Sequence, residues 1–357
     1  MTLSTKNPKV LIVLVNYCGW ADTIECLESL LRLEYDNYQI AVVDNASNDG
    51  SVEKIKLWAG GKLEIISNLA FSLRNLSFPP ISKPIEFAEY NRKQAEDIDL
   101  QENAGLSSDK SLPLIIINSG ENLGFAGGNN VGLRYALNDD NLRYVWLLNN
   151  DTVAEPTALI KMLNRMKEKP SAGMCGSTLR YYYNPGTVQT FGGGQYNRWL
   201  GWNRFLVDFD RDISALDPED IESRLDNISG ASMLVSRSFL ETVGLMSEDY
   251  FLFFEELDWA ARAGDKFTLA FARESVVYHK NGMSIKKSDS PYKFRLFSEY
   301  HVQKNKIVFT RKFYSYALPS VYFGLILAAA MSVFKRQWKR AILILKIMFG
   351  ISVDIRY

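Results

Sequence analysis

Four short apolar runs constrain this chain more than anything else in it. They lie in "KVLIVLVNY" (Val10–Val15), "YQIAVVDNAS" (38–47), "LPLIIINS" (112–119) and "YVWLLNND" (144–151). Each is continuous rather than alternating, as expected of a strand covered on both faces. Helical spacing fills the gaps: Ile24, Leu27, Leu30 and Leu31 within Asp22–Leu33, then Val52–Trp58, Asn129–Leu137 and a helix at about 156–168. Strand–helix–strand alternation of this kind predicts an α/β fold, with a mainly parallel mixed central sheet flanked by helices.

The rest of the chain modulates that rhythm. Residues 68–112 are Pro-rich and then highly charged, and read as an insertion, a surface loop with one helix. A Tyr/Gly-rich stretch runs to 202, "ISGASMLVSRSFLETVG" (228–244) reads as turn, strand and helix, and Gly264 ends a helix in "FLFFEELDWAARAG". Residues 1–285 therefore form the α/β domain, and 286–357 a C-terminal basic and apolar helical segment. Tyr314–Phe334 carries no charge over 21 residues, which meets the length of a membrane span; an interfacial helix and a packed core helix satisfy the same pattern.

Composition decides less. Lys plus Arg and Asp plus Glu both total 41 of 357 residues, so net charge excludes no partner. From Tyr292 to the end, however, twelve Lys and Arg stand against Glu299 and Asp354, a local excess of +10. A basic tail beside apolar residues suits a membrane surface or polyanion, and no base-specific nucleic-acid motif accompanies it. Three scattered cysteines without a CxxC favour a reducing compartment with no disulfide or zinc framework. The N-terminal apolar stretch is read as a first core strand, being too short for a signal peptide.

Three of the apolar runs end in polar words, "VNY" (15–17), "VVDNAS" (42–47) and "LLNND" (147–151). Ligands of open α/β sheets bind outside the carboxyl ends of the strands, so shared polar ends suggest one site. Asp44 can accept from a base or ribose. Asn149 and Asp151 alternate about Asn150 along an extended chain and so face one way, an oxygen-ligand arrangement for Mg²⁺ or Mn²⁺ on a diphosphate. "GENLGFAGGNN" (120–130) is a glycine-rich loop before a helix, where Gly127 permits close backbone approach and Asn122 and Asn130 offer bonds to hydroxyls. It holds no GxGxxG, which removes support for a dinucleotide fingerprint. "FFEELDW" concentrates Glu255, Glu256 and Asp258 behind aromatics, where desolvation suits a general base. His279 follows a strand-like run, "SVVY".

In their order, "LIVLVNY", "CLESLL", "IAVVDNASNDGS", "ENLGFAGGNNVGLRYAL", "YVWLLNNDTVAEPTAL", "SGASMLVSRSFLETVGLMSEDYFLFFEELDWAARA" and "VVYHKNGMS" resemble the family 2 glycosyltransferases, particularly the bacterial rhamnosyltransferase-like branch. The resemblance spans residues 10–284 apart from the insertion. It implies a GT-A (nucleotide-diphospho-sugar transferase) fold, with Val15, Tyr17 and Asp44 on the nucleotide. It places "LLNND" at the family's DxD motif, making Asp151 a metal ligand with Asn149 in support, and His279 a further ligand. It makes Glu256 the catalytic base with Glu255 beside it, and sets Gly230, Ala231 and Asp258 on the acceptor side. Asn149 departs from the usual Asp, and Glu256 from the common Asp.

The implied function is inverting transfer of a sugar, rhamnose or similar, to a hydroxyl of a lipid-linked or saccharide acceptor in cell-surface glycan synthesis. dTDP-rhamnose is the favoured donor and UDP-sugars the next candidates, with Mg²⁺ or Mn²⁺ as cofactor. The basic C-terminal segment then implies a cytoplasmic enzyme, peripheral or monotopic on the inner face of the cell membrane; a homodimer contact is another use for it. Two rivals stand beside this. A catalytically silent carbohydrate-binding scaffold would not need Asp151 and Glu256, and a nucleotidyltransferase would need a Gly/Arg-rich phosphate loop that the N-terminus lacks.

Overall fold

The computed structural model describes residues 7–63, 71–97, 111–207, 215–281 and 291–351, together with Val353. The strands are β1 (Lys9–Asn16), β2 (Tyr38–Asp44), β3 (Phe87–Asn91), β4 (Leu114–Asn118), β5 (Leu142–Asn149), β6 (Thr152–Ala154), β7 (Ala172–Tyr181), β8 (Asn184–Phe191), β9 (Gly193–Asn197), β10 (Trp202–Phe205), β11 (Asn227–Ile228), β12 (Ser232–Ser236) and β13 (Thr268–His279). The helices are α1 (Trp20–Leu30), α2 (Ser51–Ala59), α3 (Arg92–Glu96), α4 (Gly124–Leu137), α5 (Ala158–Glu168), α6 (Pro218–Glu222), α7 (Arg237–Val243), α8 (Glu255–Ala263), α9 (Pro291–Phe313), α10 (Leu318–Phe334) and α11 (Trp338–Met348).

The main sheet has the order β3-β4-β2-β1-β5-β12-β7-β13-β6, with β8 beside β7. Its β3-to-β5 half is parallel throughout, while β12 runs antiparallel between β5 and β7. This is the mixed, mostly parallel sheet that the apolar runs predict. Alternate residues feed two cores. Ile12, Leu14, Ile40, Val42, Trp146 and Leu148 pack with α1, α2 and α5, and Leu11, Val13, Ala41, Val43, Val145 and Leu147 pack on the opposite face with α4 and α7.

Register then sets the polar words in a row. Asn16 lies opposite Asp44, Asp44 opposite Asn118, and Asn118 opposite Asn91, while Val15 lies opposite Asn149. Strands that are in register and parallel deliver their carboxyl ends to one edge, so the edge is polar because five strands stop together.

Two expectations need correcting here. The insertion is more than a surface loop: β3 extends the main sheet beside β4, Tyr90 and Ala95 are buried, and α3 follows. "FAEYN" is half polar because it is an edge strand, which hides the signal; residues 68–70 and 98–110 of the insertion lie outside the described residues. The glycine-rich word is also not a loop. From Gly124 onward it is helix α4, and Gly127 sits within the first turns. A Cβ on Gly128 would lie 2.8 Å from Val15 Cγ1, and one on Gly132 2.5 Å from Val13 Cγ1. These glycines let α4 lie directly on β1; a methyl group at Gly132 is overpacking of the kind that costs about 1–3 kcal/mol.

Beyond β13 the described residues add three α-helices. Ile307 of α9, Leu325 and Ala329 of α10, and Leu343, Ile344 and Ile347 of α11 form their own core. Pro319 stands in the first turn of α10, where a missing N–H costs nothing. A second sheet, β10-β9-β11, carries the exposed Trp199, Leu200 and Trp202 at its hairpin. Ser320 Oγ donates to Trp199 O at 2.7 Å, and the Trp199 ring meets Tyr316, so this hairpin abuts the start of α10.

Candidate active site

At the end of β5 the chain does not continue extended. Residues 150 and 151 form a turn, and β6 starts at Thr152, paired with His279. Lys280 N donates to Asp151 O at 3.0 Å and pins that turn against β13. Asp151 and Asn149 thus converge through a turn, not through strand alternation. Asp151 Oδ1 lies 3.2 Å from His279 Nε2, and Asn149 Nδ2 lies 3.4 Å from the same nitrogen. Both Asp151 and His279 are buried.

The other imidazole nitrogen decides what this pair can do. His279 Nδ1 lies 3.0 Å from Gln189 Oε1 on β8, so Nδ1 carries the proton and donates it to that carbonyl. With Nδ1 so engaged, Nε2 of a neutral imidazole would present a lone pair beside Asp151 Oδ1. A divalent cation satisfies such a pair, and a backing carbonyl that fixes the tautomer is the usual support of a metal-binding histidine. Among the described residues no group of three or more His, Cys, Asp or Glu is assembled, so two protein ligands would leave the remaining positions to phosphate oxygens and water. Beneath the pair, Lys280 Nζ donates to Asp22 Oδ1 at 2.5 Å and Glu25 Oε2 at 2.6 Å. Burial would lower the lysine pKa, but the two carboxylates outweigh it and hold the ammonium charged.

Asn150 turns the other way. Its Nδ2 donates to Thr23 Oγ1 at 2.9 Å and Asn16 Oδ1 at 3.3 Å, so it braces α1 and does not join Asn149 and Asp151. Asn16 is the hub that the sequence did not reveal. Its Nδ2 donates to Asp44 Oδ1 at 2.7 Å and Ser47 Oγ at 3.1 Å. Asp44 is buried, and its Oδ2 accepts from Ser47 N, while Tyr17 is exposed at the same edge. Asn122 accepts from Asn45 Nδ2 and Gly124 N, which ties the loop before α4 to β2. Asn130 is buried and clamps Met246 through both its amide atoms while donating to Glu248, so it is not directed at a ligand's hydroxyls.

The acids occupy the start of α8. Glu255 is fully buried and its Oε2 has no hydrogen-bond partner. Burial, and then the neighbouring Glu256 charge, push its carboxyl well above the usual range. Glu256 is half-buried, burial raises it too, and its Oε1 accepts from Gly230 N at 3.2 Å. The two carboxyls thus form a pair that both hold a proton more tightly than exposed glutamates do. A Cβ on Gly230 would fall 2.3 Å from Glu256 Oε1, which makes glycine the only residue that fits there without moving the carboxylate. Ala231 O accepts from Asn149 N at 3.2 Å, so the 229–231 segment bridges the two acidic centres.

Asp258 does not stand on the acceptor side. It is completely buried, accepts from Arg262 Nε at 2.7 Å, Lys312 Nζ at 2.6 Å and Tyr250 OH at 3.1 Å, and joins α8 to α9. The structure therefore brings together Asn149, Asp151 and His279, and sets Glu256, Gly230 and Ala231 beside them. Gln189 and the Lys280 cluster were missed; only the position of Lys280 directly after His279 could have flagged it.

The family model described as Glycosyl transferase family 2 matches residues 10–68 and 97–217, just over half of the chain. The low-salt glycan biosynthesis hexosyltransferase Agl10 of Haloferax volcanii is 25% identical over 147 residues, 41% of this chain and 45% of that protein, so the chain matches less than half of that relative's length. Among solved structures, mannosyltransferase PcManGT from Pyrobaculum calidifontis, in complex with GDP-Man and Mn²⁺, aligns with a TM-score of 0.50 and 15% identity over 99% of this chain and 89% of that one. GalNAc-T7 with UDP, GalNAc and Mn²⁺ aligns with a TM-score of 0.50 and 11% identity over 77% of this chain and 44% of that one.

Proposed function

This chain belongs to glycosyl transferase family 2 and has its GT-A architecture, and on that premise we propose that it moves a hexose, with inversion, from a nucleotide-diphosphate sugar to an acceptor hydroxyl. The observation that carries the proposal is the pairing of two centres across one short segment. Asn149, whose side chain meets His279 beside Asp151, donates its N–H to Ala231 O, and the raised Glu256 carboxyl accepts from the adjacent Gly230 N.

The roles are those that the resemblance implies, and the contacts described above support them. Asp151 and His279 would hold a divalent cation, with Gln189 fixing the histidine; bound there, the cation supplies Lewis-acid stabilisation of the leaving diphosphate. Asp44 and Tyr17, at the ends of β2 and β1, are the nucleotide contacts. Gly230 N engages Glu256 Oε1, which leaves Oε2 to take the acceptor proton. The acceptor oxygen then bonds to the anomeric carbon, whose bond to the diphosphate oxygen breaks with both electrons on the opposite face. A base with a raised proton affinity takes that proton more readily at neutral pH than an ordinary glutamate would.

dTDP-rhamnose leads the donor candidates through the resemblance of the sequence words, with UDP-hexoses next. The acceptor is read as lipid-linked or saccharide, at the cytoplasmic face of a membrane. Ser315–Phe334 averages a hydropathy of 1.9 with 28% of its apolar window buried, and Phe323, Phe334, Trp338 and Phe349 are exposed. Lys335, Arg336, Lys339 and Arg340 lie beside this face, and residues 314–351 contain no Asp or Glu. That combination suits anionic lipid at an interface, with Trp199 and Trp202 of the adjoining hairpin at headgroup depth.

The test is turnover of dTDP-rhamnose and UDP- and GDP-hexoses with and without Mn²⁺. One donor should be cleaved, and EDTA should abolish its cleavage. A flat response to every donor would leave a silent scaffold of the same fold as the reading.

A further inference from the structure

The segment that delivers the two glutamates is strained. Phe253 and Phe254 have φ of 69° and 79°, two consecutive side-chain-bearing residues in the left-handed region. Such a conformation persists only where its surroundings over-determine it, and it clusters at functional sites. Neither residue belongs to a strand, so the main sheet does not fix them.

Helix α9 supplies the restraint, in register with the segment. His301 lays its ring on Phe251, with centroids 5.2 Å apart and planes 26° apart. Four residues on, Asn305 is buried, and its Nδ2 donates to the carbonyls of both Leu252 and Phe253 at 2.9 Å. Four further on, Phe309 packs against Phe254 at 5.7 Å. Three more bring Lys312 to Asp258 at 2.6 Å. Steps of four, four and three place these side chains on one face of the helix. That face follows residues 251–258 in order, and its opposite side carries Ile307 into the core shared with α10 and α11. Burial pushes the His301 imidazole down to about 4, so this contact is between neutral rings at physiological pH.

We propose that α9 is a splint for the glutamate-bearing segment and that Asn305 is a positioning residue for the transfer reaction. By holding two carbonyls of the strained turn, it sets where α8 begins and so where the Glu256 carboxylate meets Gly230. The C-terminal helices are then part of the catalytic apparatus as well as a surface for lipid. This proposal rests on the reading of Glu256 as the base.

The experiment compares steady-state transfer by the full chain and its Asn305→Ala and Asn305→Gln variants, with melting temperature and Mn²⁺-dependent donor binding measured in parallel. Asn305→Ala should lower kcat at least tenfold while donor KM stays within twofold. Asn305→Gln, which keeps both amide donors, should recover most of that loss. An unchanged kcat, or kcat and donor affinity falling together with no recovery by glutamine, would reduce Asn305 to a structural residue and overturn the proposal. If Asn305→Ala does not fold, Phe309→Leu perturbs the same face one turn later and carries the same criteria. Glu256→Gln run alongside separates the two claims: full activity there removes the base assignment, whereas a loss confined to the Asn305 series leaves the splint acting on another group of residues 251–258.

Discussion

The Asp151–His279 centre and the Glu255–Glu256 centre are built in opposite ways. The first hangs on the ends of β5 and β13, strands paired on both sides, and its tautomer is set through Gln189 of β8. The second stands at the start of α8 after two left-handed phenylalanines, and depends on a helix some fifty residues further along the chain. The difference teaches that paired strand ends can set a carboxylate beside an imidazole with support from an adjoining strand, while a carboxyl that follows a strained turn takes its restraint from a distant helix.

The comparison can be broken at the strand-built end first. Asp151→Asn keeps the shape and removes the carboxylate, so Mn²⁺-dependent stabilisation of the protein by donor should disappear in a thermal-shift titration. Gln189→Leu removes only the partner of Nδ1 and should weaken the same Mn²⁺ response by about 10–100-fold, the usual consequence of losing such a support. Equal Mn²⁺ affinity in Gln189→Leu would mean that the imidazole does not bind the cation through Nε2.

The helix-built end gives a smaller effect of opposite kind. The folded-state pKa of Glu255 is raised above its unfolded value, so the folded state holds the proton more tightly. Its contribution to stability is therefore full below the unfolded value of about 4.3 and is lost as pH rises through the raised folded value. Glu255→Gln, which cannot ionise, should melt at a higher temperature than wild type at neutral pH and lose that advantage towards pH 4. A melting difference that does not depend on pH would show that Glu255 is ionised in the folded protein.

What could be read from sequence follows the same division. The continuous runs around Ile12, Val42, Ile116 and Leu147 announced buried parallel strands, and their polar ends announced the edge that bears Asp151. Asn150, beside it in the same word, looked equivalent but turns to brace Asn16, because a turn and not strand geometry follows Asn149. Gly127 and Gly128 were read as loop because glycine signals loops in general, whereas here the absent side chains admit Leu123 and Val15 respectively. Asn130 and Asp258 carry the right chemistry for a ligand and spend it on Met246 and Lys312. Asn305 gave no signal at all, since a single polar residue in a basic helix says nothing until its carbonyl partners are in place.

The most direct measurement of the central claim is turnover of the accepted donor by Glu256→Gln, with Mn²⁺-dependent donor binding as its internal control. A general base contributes on the order of 10²–10⁴ in rate, so turnover should fall by that factor while donor binding stays at the wild-type level. Undiminished turnover with intact binding would contradict the account and place the base elsewhere.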